Sequence, residues 1–449
     1  MRKLFGTDGI RGVANQYPIT CEVALKTGQA VGYFSQKNGF TCVIIGKDTR
    51  ISGDMLESAL AAGVASTGID VKLAGVIPTP GVAYLCSTDK NAGAGIVISA
   101  SHNPYEDNGI KIFKYGGEKL SDNEENQIEN FILNTKPVLQ QNIGTISGIS
   151  DCLEQYAQFL LNTFPFKNTF SRSEKKMNLI IDCSNGSASK IAHLVFNDKL
   201  FNVQFIHDSP DGKNINLNCG SQHVLDVKNL VLKNKADIGL AFDGDADRLI
   251  VVDEFGKQIT GDCIIAICAK YAKENKKLKQ SIVVSTIMSN LGLTKTLDTM
   301  AIKHLKADVG DRKVLEQMKE SGSVIGGEDS GHMIFLDYHT TGDGMLSALR
   351  LLEVMLETKQ SISKLSSVMT QFPQVLMNVD VDESRPDFMK INMVADTIKA
   401  VEKKLGNEGR VLIRYSGTQP LIRVMVEGPK QDVVEKYCID ICESIKANL

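Results

Sequence analysis

The chain has 449 residues, 43% of them hydrophobic and 23% charged, which is more than one hydrophobic core supports and predicts three or four domains. A net charge of −3 excludes the basic footprint of a nucleic-acid binder, and with no run of about 18 apolar residues no membrane span is expected. The ten cysteines include no CxxC pair, and Met1-Arg-Lys-Leu-Phe-Gly6 lacks the apolar core of a secretory signal, so the thiols are expected to be structural, in a reducing cytoplasm.

Strand-like and helix-like segments alternate almost throughout, the pattern of α/β domains with largely parallel sheets. A first unit has a strand at Thr41–Ile45, a helix from about Asp54 to Ser66 and a strand at Gly95–Ser99, and the polar stretch Gln140–Ser150 reads as a linker. A second unit opens with the strand Asn178–Asp182, turns at Ser184-Asn-Gly-Ser187, and closes with the apolar strand Asp237–Phe242. The hairpin Leu249–Ile259, turning at Glu254-Phe-Gly256, is expected to start the third unit, followed by strands at Ile282–Ser285, Ile302–Leu305 and Val324–Gly326. After about residue 370 come a strand, a helix, strands Val411–Tyr415 and Leu421–Glu427, and a terminal helix from Gln431. The expected units are 1–152, 153–252, 253–368 and 369–449: three similar doubly wound α/β domains and a smaller α+β domain.

Chemistry concentrates in the loops. Asp243-Gly-Asp245-Ala-Asp247-Arg248 puts three carboxylates in five residues. Their mutual repulsion calls for a hard divalent cation, and Gly244 and Ala246 allow the wrap that makes the oxygens converge. An EF-hand fails here, because Arg248 occupies the glycine position and strands flank the loop. Three carboxylates leave the cation short of ligands, and a phosphate oxygen would complete it. Ile96–Pro104 places Ser99 and Ser101 at a strand's carboxyl end, where α/β sheets bind ligands, and Asn108-Gly-Ile-Lys111 brings a cation back nearby. No GxSxG elbow exists, and His102, adjacent to Ser101 on presumed extended backbone, would point away from it.

Two further loops suit phosphate and sugar. Arg414-Tyr-Ser416-Gly417-Thr418-Gln-Pro-Leu-Ile-Arg423 offers two guanidinium forks, two hydroxyls and a glycine turn. Gly326-Gly-Glu328-Asp-Ser330-Gly-His332 offers a carboxylate and hydroxyl for sugar and a histidine for acid–base work. Phe5–Gly12, with Arg11, is glycine-rich but is neither a Walker A loop nor a GxGxxG fingerprint.

Together, Met1–Gly12, Ser99–Pro104, Asp243–Arg248, Gly326–His332 and Arg414–Thr418 resemble the α-D-phosphohexomutase family in order and along the whole chain. The resemblance implies four domains around a central cleft, a phosphorylated Ser101 and one Mg²⁺ held by Ser101, Asp243, Asp245 and Asp247. It implies catalytic roles for Arg11, Lys111 and His332, and charge stabilisation by Arg248 and His102. Glu328 and Ser330 would bind sugar, and Arg414, Ser416, Gly417, Thr418 and Arg423 the distal phosphate. The implied activity interconverts glucosamine 6-phosphate and glucosamine 1-phosphate through a bisphosphorylated sugar, feeding UDP-N-acetylglucosamine and cell-wall precursors. Mannose or glucose phosphates, turned over by the same mechanism, are the alternative. A phosphosugar is the expected partner, with neither nucleic acid nor membrane, and a homodimer is an assembly open to it. Gln419 and Asp329 depart from the family's usual glutamate and glutamine, which bears on substrate affinity. The rivals are an aspartyl-nucleophile hydrolase, whose DxDx[TV] motif the final Asp247 breaks, and a catalytically silent sugar-phosphate binder.

Overall fold

The structure, a computed structural model, describes residues 4–6, 8–135, 141–166, 176–382, 386–416 and 420–449. It divides into two units, one of residues 1–287 and 303–367 and another of residues 288–302 and 368–449.

The first unit contains three sheets. In chain order the first is built from β1 (Ile10–Val13), α1 (Cys21–Lys37), β2 (Cys42–Lys47), α2 (Gly53–Ala65), β3 (Asp70–Val76), α3 (Thr79–Thr88), β4 (Ala92–Ile98), β5 (Asp107–Lys114), β6 (Glu118–Lys119), α4 (Asp122–Asn134) and β7 (Ile146–Gly148). The strand order is β1-β5-β4-β2-β3-β7. β4, β2, β3 and β7 run parallel, and β5 and β1 extend the sheet antiparallel. The central strands are unbroken apolar runs such as Cys42-Val-Ile-Ile45, buried on both faces because helices cover both. Within the stretch expected to be a linker, Ile146–Gly148 is a strand pairing with β3. Its exposed edge position explains why it carries no apolar run.

The second sheet follows α5 (Cys152–Thr163): β8 (Met177–Asp182), α6 (Ala188–Val195), β9 (Phe201–Ile206), α7 (Leu225–Asn234), β10 (Ile238–Phe242), β11 (Leu249–Asp253) and β12 (Gln258–Ile259), in the order β12-β11-β10-β8-β9. The hairpin Leu249–Ile259 therefore completes this sheet, since β11 pairs antiparallel with β10 from Ile238↔Asp253 to Phe242↔Leu249. That corrects the expectation that it opens the third unit. Its partner strand is its sequence neighbour, and the short turn at residues 243–248 folds the chain straight back.

The third sheet takes α8 (Gly261–Glu274), β13 (Ile282–Thr286), β14 (Lys303–Ala307), α10 (Asp311–Ser321), β15 (Ile325–Gly327), β16 (Met333–Phe335), α11 (Gly344–Thr358) and α12 (Ile362–Ser366). Helix α9 (Leu291–Thr299), between β13 and β14 in sequence, belongs to the other unit. The order is β14-β13-β15-β16, with β16 antiparallel.

Within each sheet one order recurs: an antiparallel fourth strand, then the third, first and second, as β5-β4-β2-β3, β11-β10-β8-β9 and β16-β15-β13-β14. The Ser101, Asp243–Asp247 and Glu328–His332 loops all lie between the third and fourth strands of this motif. At that point a parallel strand ends and the chain reverses, so each loop sits at a carboxyl edge, with backbone groups that the ladder leaves unpaired.

The other unit joins α9 to a three-stranded antiparallel sheet, β17 (Gln374–Asp380), β18 (Arg410–Tyr415) and β19 (Leu421–Glu427), in the order β17-β19-β18, with α13 (Asn392–Leu405) and α14 (Gln431–Asn448). Its core joins Val394, Ile398 and Val401 of α13, Val434, Cys438 and Ile441 of α14, and Ile422, Val424 and Val426 of β19. No helix among the described residues is long and apolar enough to cross a membrane, and all ten cysteines are unpaired.

Candidate active site

β4 ends at Ile98, and Ser101 adopts φ 54°, which turns its side chain out of the strand direction. The conformation is held from behind. Ser99 Oγ accepts from Ser101 N–H at 2.9 Å and donates to Asp48 Oδ2 at 2.6 Å. Asp48 is paired with Arg50 at 2.8 Å, both side chains fully buried. The Arg50 guanidinium donates to the carbonyls of Asn103 and Asp107 at 2.8 Å each, Ser101 at 3.1 Å, and Pro104. Asn216 Nδ2 adds bonds to Ser101 O and Asn103 O at 2.9 and 3.0 Å. A planar fork suits this task because one cation satisfies several converging carbonyls.

The Ser101 hydroxyl donates to Asp243 Oδ2 at 2.6 Å. Gly244 makes this approach feasible: a Cβ there would lie 2.6 Å from Ser101 O. His102 Nδ1 is 3.3 Å from Ser101 Oγ. The expectation that His102 points away is thus corrected, because the backbone at Ser101 is left-handed and not extended. Burial, then Arg248 and Arg11, push His102 down to about 4, so it is a neutral imidazole at neutral pH.

The three aspartates converge, each offering a carboxylate oxygen within 4.8 Å of the others, and all are buried. Ala246 takes φ 55°, giving the expected wrap. Burial, with Asp247 and Asp245 beside it, pushes the Asp243 carboxyl well above its ordinary range. Burial acts the same way on Asp247, but Lys111, His332 and Arg248 outweigh it and hold that carboxyl well below. Lys111 Nζ lies 2.7 Å from Asp245 Oδ2 and 3.4 Å from Asp247 Oδ2. Thr79, at the start of α3, also donates to Asp245 Oδ2.

Asp245 Oδ1 and Asp247 Oδ1 are buried without a hydrogen-bond partner among the described residues. Buried carboxylate oxygens are seldom left unpaired. Two such oxygens beside Asp243 fit a hard divalent cation, and the all-oxygen donor set suits Mg²⁺ better than zinc. Asp243, Asp245 and Asp247 are the residues that would hold it.

Around this centre the charges close into a ring. Lys111 reaches Asp8 at 3.1 Å, Asp8 reaches Lys119 at 2.8 Å, and Lys119 contacts Asp311. Asp311 lies 3.6 Å from His332 Nε2, and His332 Nδ1 lies 3.6 Å from Asp247 Oδ2, which returns to Lys111. Burial opposes charge on Lys111, yet Asp245, Asp8 and Asp247 raise it well above its ordinary value. Against burial, Asp247 and Asp311 likewise raise His332. Arg11 joins through Asp8 at 2.7 Å, and Arg248 lies 3.8 Å from Asp247 and 4.0 Å from Asp243. Arg248 and His332 also form a backbone bridge, and Leu249 N–H donates to Gly331 O at 3.0 Å, stitching the second and third loops together.

The structure therefore gathers Arg11, Ser101, His102, Lys111, Asp243, Asp245, Asp247, Arg248 and His332. Glu328 lies close enough to Arg248 to raise it, and accepts from Gly310 N–H at 3.2 Å, while Ser330 Oγ is buried without a partner among the described residues. Asp329 turns to α8, its carbonyl accepting from Gly261 N–H at 3.0 Å. In the other unit, Arg414 and Arg423 face each other across β18 and β19, and buried Ser416 donates its N–H to Leu421 O at 2.8 Å. Gly417, Thr418 and Gln419 lie outside the described residues. Sequence reading missed Asp8, Asp48, Arg50, Thr79, Lys119, Asn216 and Asp311. Asp48-Thr-Arg50 alone left a signal, a polar cluster at the carboxyl end of an expected strand.

A serine on an aspartate cluster, ringed by buried cations, defines a phosphoryl-transfer class of site on a repeated α/β scaffold. Family models of phosphoglucomutase/phosphomannomutase match residues 2–138 (alpha/beta/alpha domain I), 154–256 (domain II), 260–372 (domain III) and 376–444 (C-terminal domain). The chain belongs to this family, the α-D-phosphohexomutases, and is an isomerase. It is 56% identical to the phosphoglucosamine mutase of Desulforapulum autotrophicum, covering 99% of each chain, and 51% identical to that of Syntrophobacter fumaroxidans, covering 100% of this chain and 99% of the relative. Among solved structures, a Burkholderia thailandensis phosphoglucomutase/phosphomannomutase family protein shares the fold at TM-score 0.81 and 23% identity, over 98% of this chain and 96% of that one. The Aspergillus fumigatus N-acetylphosphoglucosamine mutase, solved in complex with GlcNAc-6P and magnesium, matches at TM-score 0.67 and 16% identity, over 99% and 96%.

Proposed function

We propose that the chain interconverts glucosamine 6-phosphate and glucosamine 1-phosphate, in the cytoplasm, through a phosphorylated Ser101. The observation that carries this reading is Ser101 Oγ at 2.6 Å from Asp243 Oδ2, inside a cluster with two carboxylate oxygens that accept no hydrogen bond among the described residues. A phosphoryl group on Ser101 would be delivered to that cluster. Full-length identity to phosphoglucosamine mutases supports the amino sugar as substrate.

The phosphoryl group leaves Ser101 Oγ as its P–O bond breaks and a new P–O bond forms to the sugar's free hydroxyl, whose proton ends on Ser101 Oγ as the serine hydroxyl; the return step runs the same exchange in reverse. The resulting bisphosphate reverses its orientation and returns its other phosphoryl to Ser101 Oγ, restoring the phosphoserine and releasing the isomer. Lys111, Arg11 and Arg248 are cations facing the transferring group, where charge spreads over the phosphoryl oxygens. Mg²⁺, bound by Asp243, Asp245 and Asp247, would neutralise those oxygens further. Glu328 and Ser330 orient the sugar. Arg414, Ser416 and Arg423, with Gly417 and Thr418, take the phosphate that is not reacting.

Assays of glucosamine 6-phosphate, mannose 6-phosphate and glucose 6-phosphate side by side test the substrate, and preference for mannose or glucose refutes it. Mass spectrometry should find acid-stable phosphate on Ser101, and Ser101→Ala should abolish turnover with the fold intact. Phosphate on Asp243 would instead refute the mutase mechanism. Sedimentation checks the homodimer.

A further inference from the structure

Away from the aspartate centre, Asp182, His207 and Cys219 bring a carboxylate, an imidazole and a thiol together, one donor atom of each within 4.8 Å of the others. Asp182 ends β8, His207 follows β9, and Cys219 closes the loop that starts at His207. His207 Nδ1 lies 3.0 Å from Asp182 Oδ2, out of line for a well-formed hydrogen bond, and this carboxylate, against burial, raises the imidazole above its ordinary value. The geometry points to a second divalent metal site here, of zinc type, and we propose that Asp182 Oδ2, His207 Nδ1 and Cys219 Sγ are its protein ligands.

The surroundings are those a metal site needs. A ligating histidine nearly always donates its other ring N–H to a carboxylate, a backbone carbonyl or water, which fixes ring and tautomer. His207 Nε2 faces Asp226 Oδ2 at 3.3 Å. The ligating carboxylate is fixed too: Ser184 N–H donates to Asp182 Oδ1 and Gly220 N–H to Oδ2, each at 2.8 Å. Cys219 Sγ takes a weak contact, 4.0 Å from Asn185 Nδ2, and a backbone hydrogen bond from Asn216, while burial, then Asp182 and Asp226, raise the thiol above its ordinary range. In a tetrahedral site the nitrogen and oxygen ligands stand about 3.3 Å apart, so His207 and Asp182 need to part by only about 0.3 Å. Three protein ligands leave a fourth position for water, and His207, whose side chain is 26% exposed, gives an entry path. Sulfur and nitrogen ligands separate this site from the all-oxygen centre, which favours Mg²⁺. Binding displaces the thiol proton, and any proton on Nδ1, to solvent.

The site would brace the catalytic loop. The segment it closes, from His207 to Cys219, carries Asn216, whose amide holds the Ser101 and Asn103 carbonyls. A cation pinning both ends of the segment fixes Asn216, and so the backbone under Ser101.

Titration of Co²⁺ into the purified full-length protein tests this, because only a thiolate ligand gives a sulfur-to-cobalt charge-transfer band and the aspartate centre has no sulfur. The expected result is a band saturating at one equivalent, absent in Cys219→Ser with unchanged far-ultraviolet circular dichroism. Asp226→Asn should weaken Co²⁺ binding about 10–100-fold, the usual cost of losing such a carboxylate. If Cys219→Ser fails to fold, His207→Gln, at a partly exposed position, replaces it with the same expected loss of the band. No band in the native protein, as a plain His207–Asp182 ion pair predicts, overturns the proposal. So does a band that survives the substitution.

Discussion

Lys111, on β5 of the first sheet, donates to Asp245 Oδ2, in the loop after β10 of the second, at 2.7 Å. The two side chains are 4% and 1% exposed, so this pair fastens two sheets together where water cannot screen it. The same ammonium also neutralises Asp8 and Asp247, so in the absence of a cation it is the cluster's main counter-charge.

Lys111→Met should therefore lower stability by about 3–5 kcal/mol, since it leaves buried carboxylates unpaired. Millimolar Mg²⁺ should restore part of that loss in the variant, and EDTA should lower the melting temperature of the wild type. Thermal melts with Mg²⁺ and with EDTA check both. A variant as stable as the wild type under EDTA would show that Lys111 does not compensate the aspartates.

Arg50 pairs with Asp48 and not with Asp243, Asp245 or Asp247, yet it fixes the carbonyls that surround Ser101. Arg50→Lys keeps the charge but loses the fork, and should cost about 3 kcal/mol in urea titration, with Asp48 left poorly paired. Turnover should fall through kcat, because the Ser101 Oγ position is loosened while sugar contacts are untouched. A change confined to KM would contradict that assignment.

His339 is buried, and burial pushes it down to about 4. In the window from about 6.5 to 4 the unfolded chain binds the proton that the folded chain refuses. Its contribution to stability is therefore complete above pH 6.5 and lost as pH falls to about 4, by about 3 kcal/mol. Asp343, pushed up to about 6 by burial, works in the opposite sense, gaining stability as pH falls from 6 to 3.8. The difference between wild type and His339→Phe isolates the first effect. Chemical denaturation at pH 4.5 and 7 should show the wild type losing more stability on acidification than the variant.

Arg414 and Arg423 stand directly opposite on β18 and β19, and both Nε atoms are buried without partners among the described residues. Burial, then Arg423, lower Arg414. Like charges placed opposite cost about 0.2–1 kcal/mol, which a bound phosphate would reverse. Arg423→Gln should raise the melting temperature slightly in phosphate-free buffer and abolish the extra stabilisation that inorganic phosphate gives the wild type. KM for the sugar phosphate should rise about 10-fold or more, the value of a charge-assisted hydrogen bond, with kcat affected less. Unchanged phosphate stabilisation would remove Arg423 from the phosphate site.

What the sequence by itself determined was local. Alternating strands and helices, the serine at a strand end and three aspartates spaced two apart are all readable within a window of a few residues. The crowding of Asp243, Asp245 and Asp247 called for positive charge beside them, and the three are buried with two oxygens that accept no hydrogen bond among the described residues. Only the tertiary structure decided which distant groups meet them. Lys119 lies 192 residues from Asp311, and Asn216 lies 115 from Ser101; no periodicity records such pairs, because they depend on how the sheets pack. The assignment of Leu249–Ile259 to the second sheet was non-local in the same way, being set by ladder register with β10. The left-handed turn at Ser101 likewise cannot be read from its own residue type. It persists because Asp48, Ser99, Arg50 and Asn216 satisfy the backbone around it, and they are supplied from three separate segments of the chain.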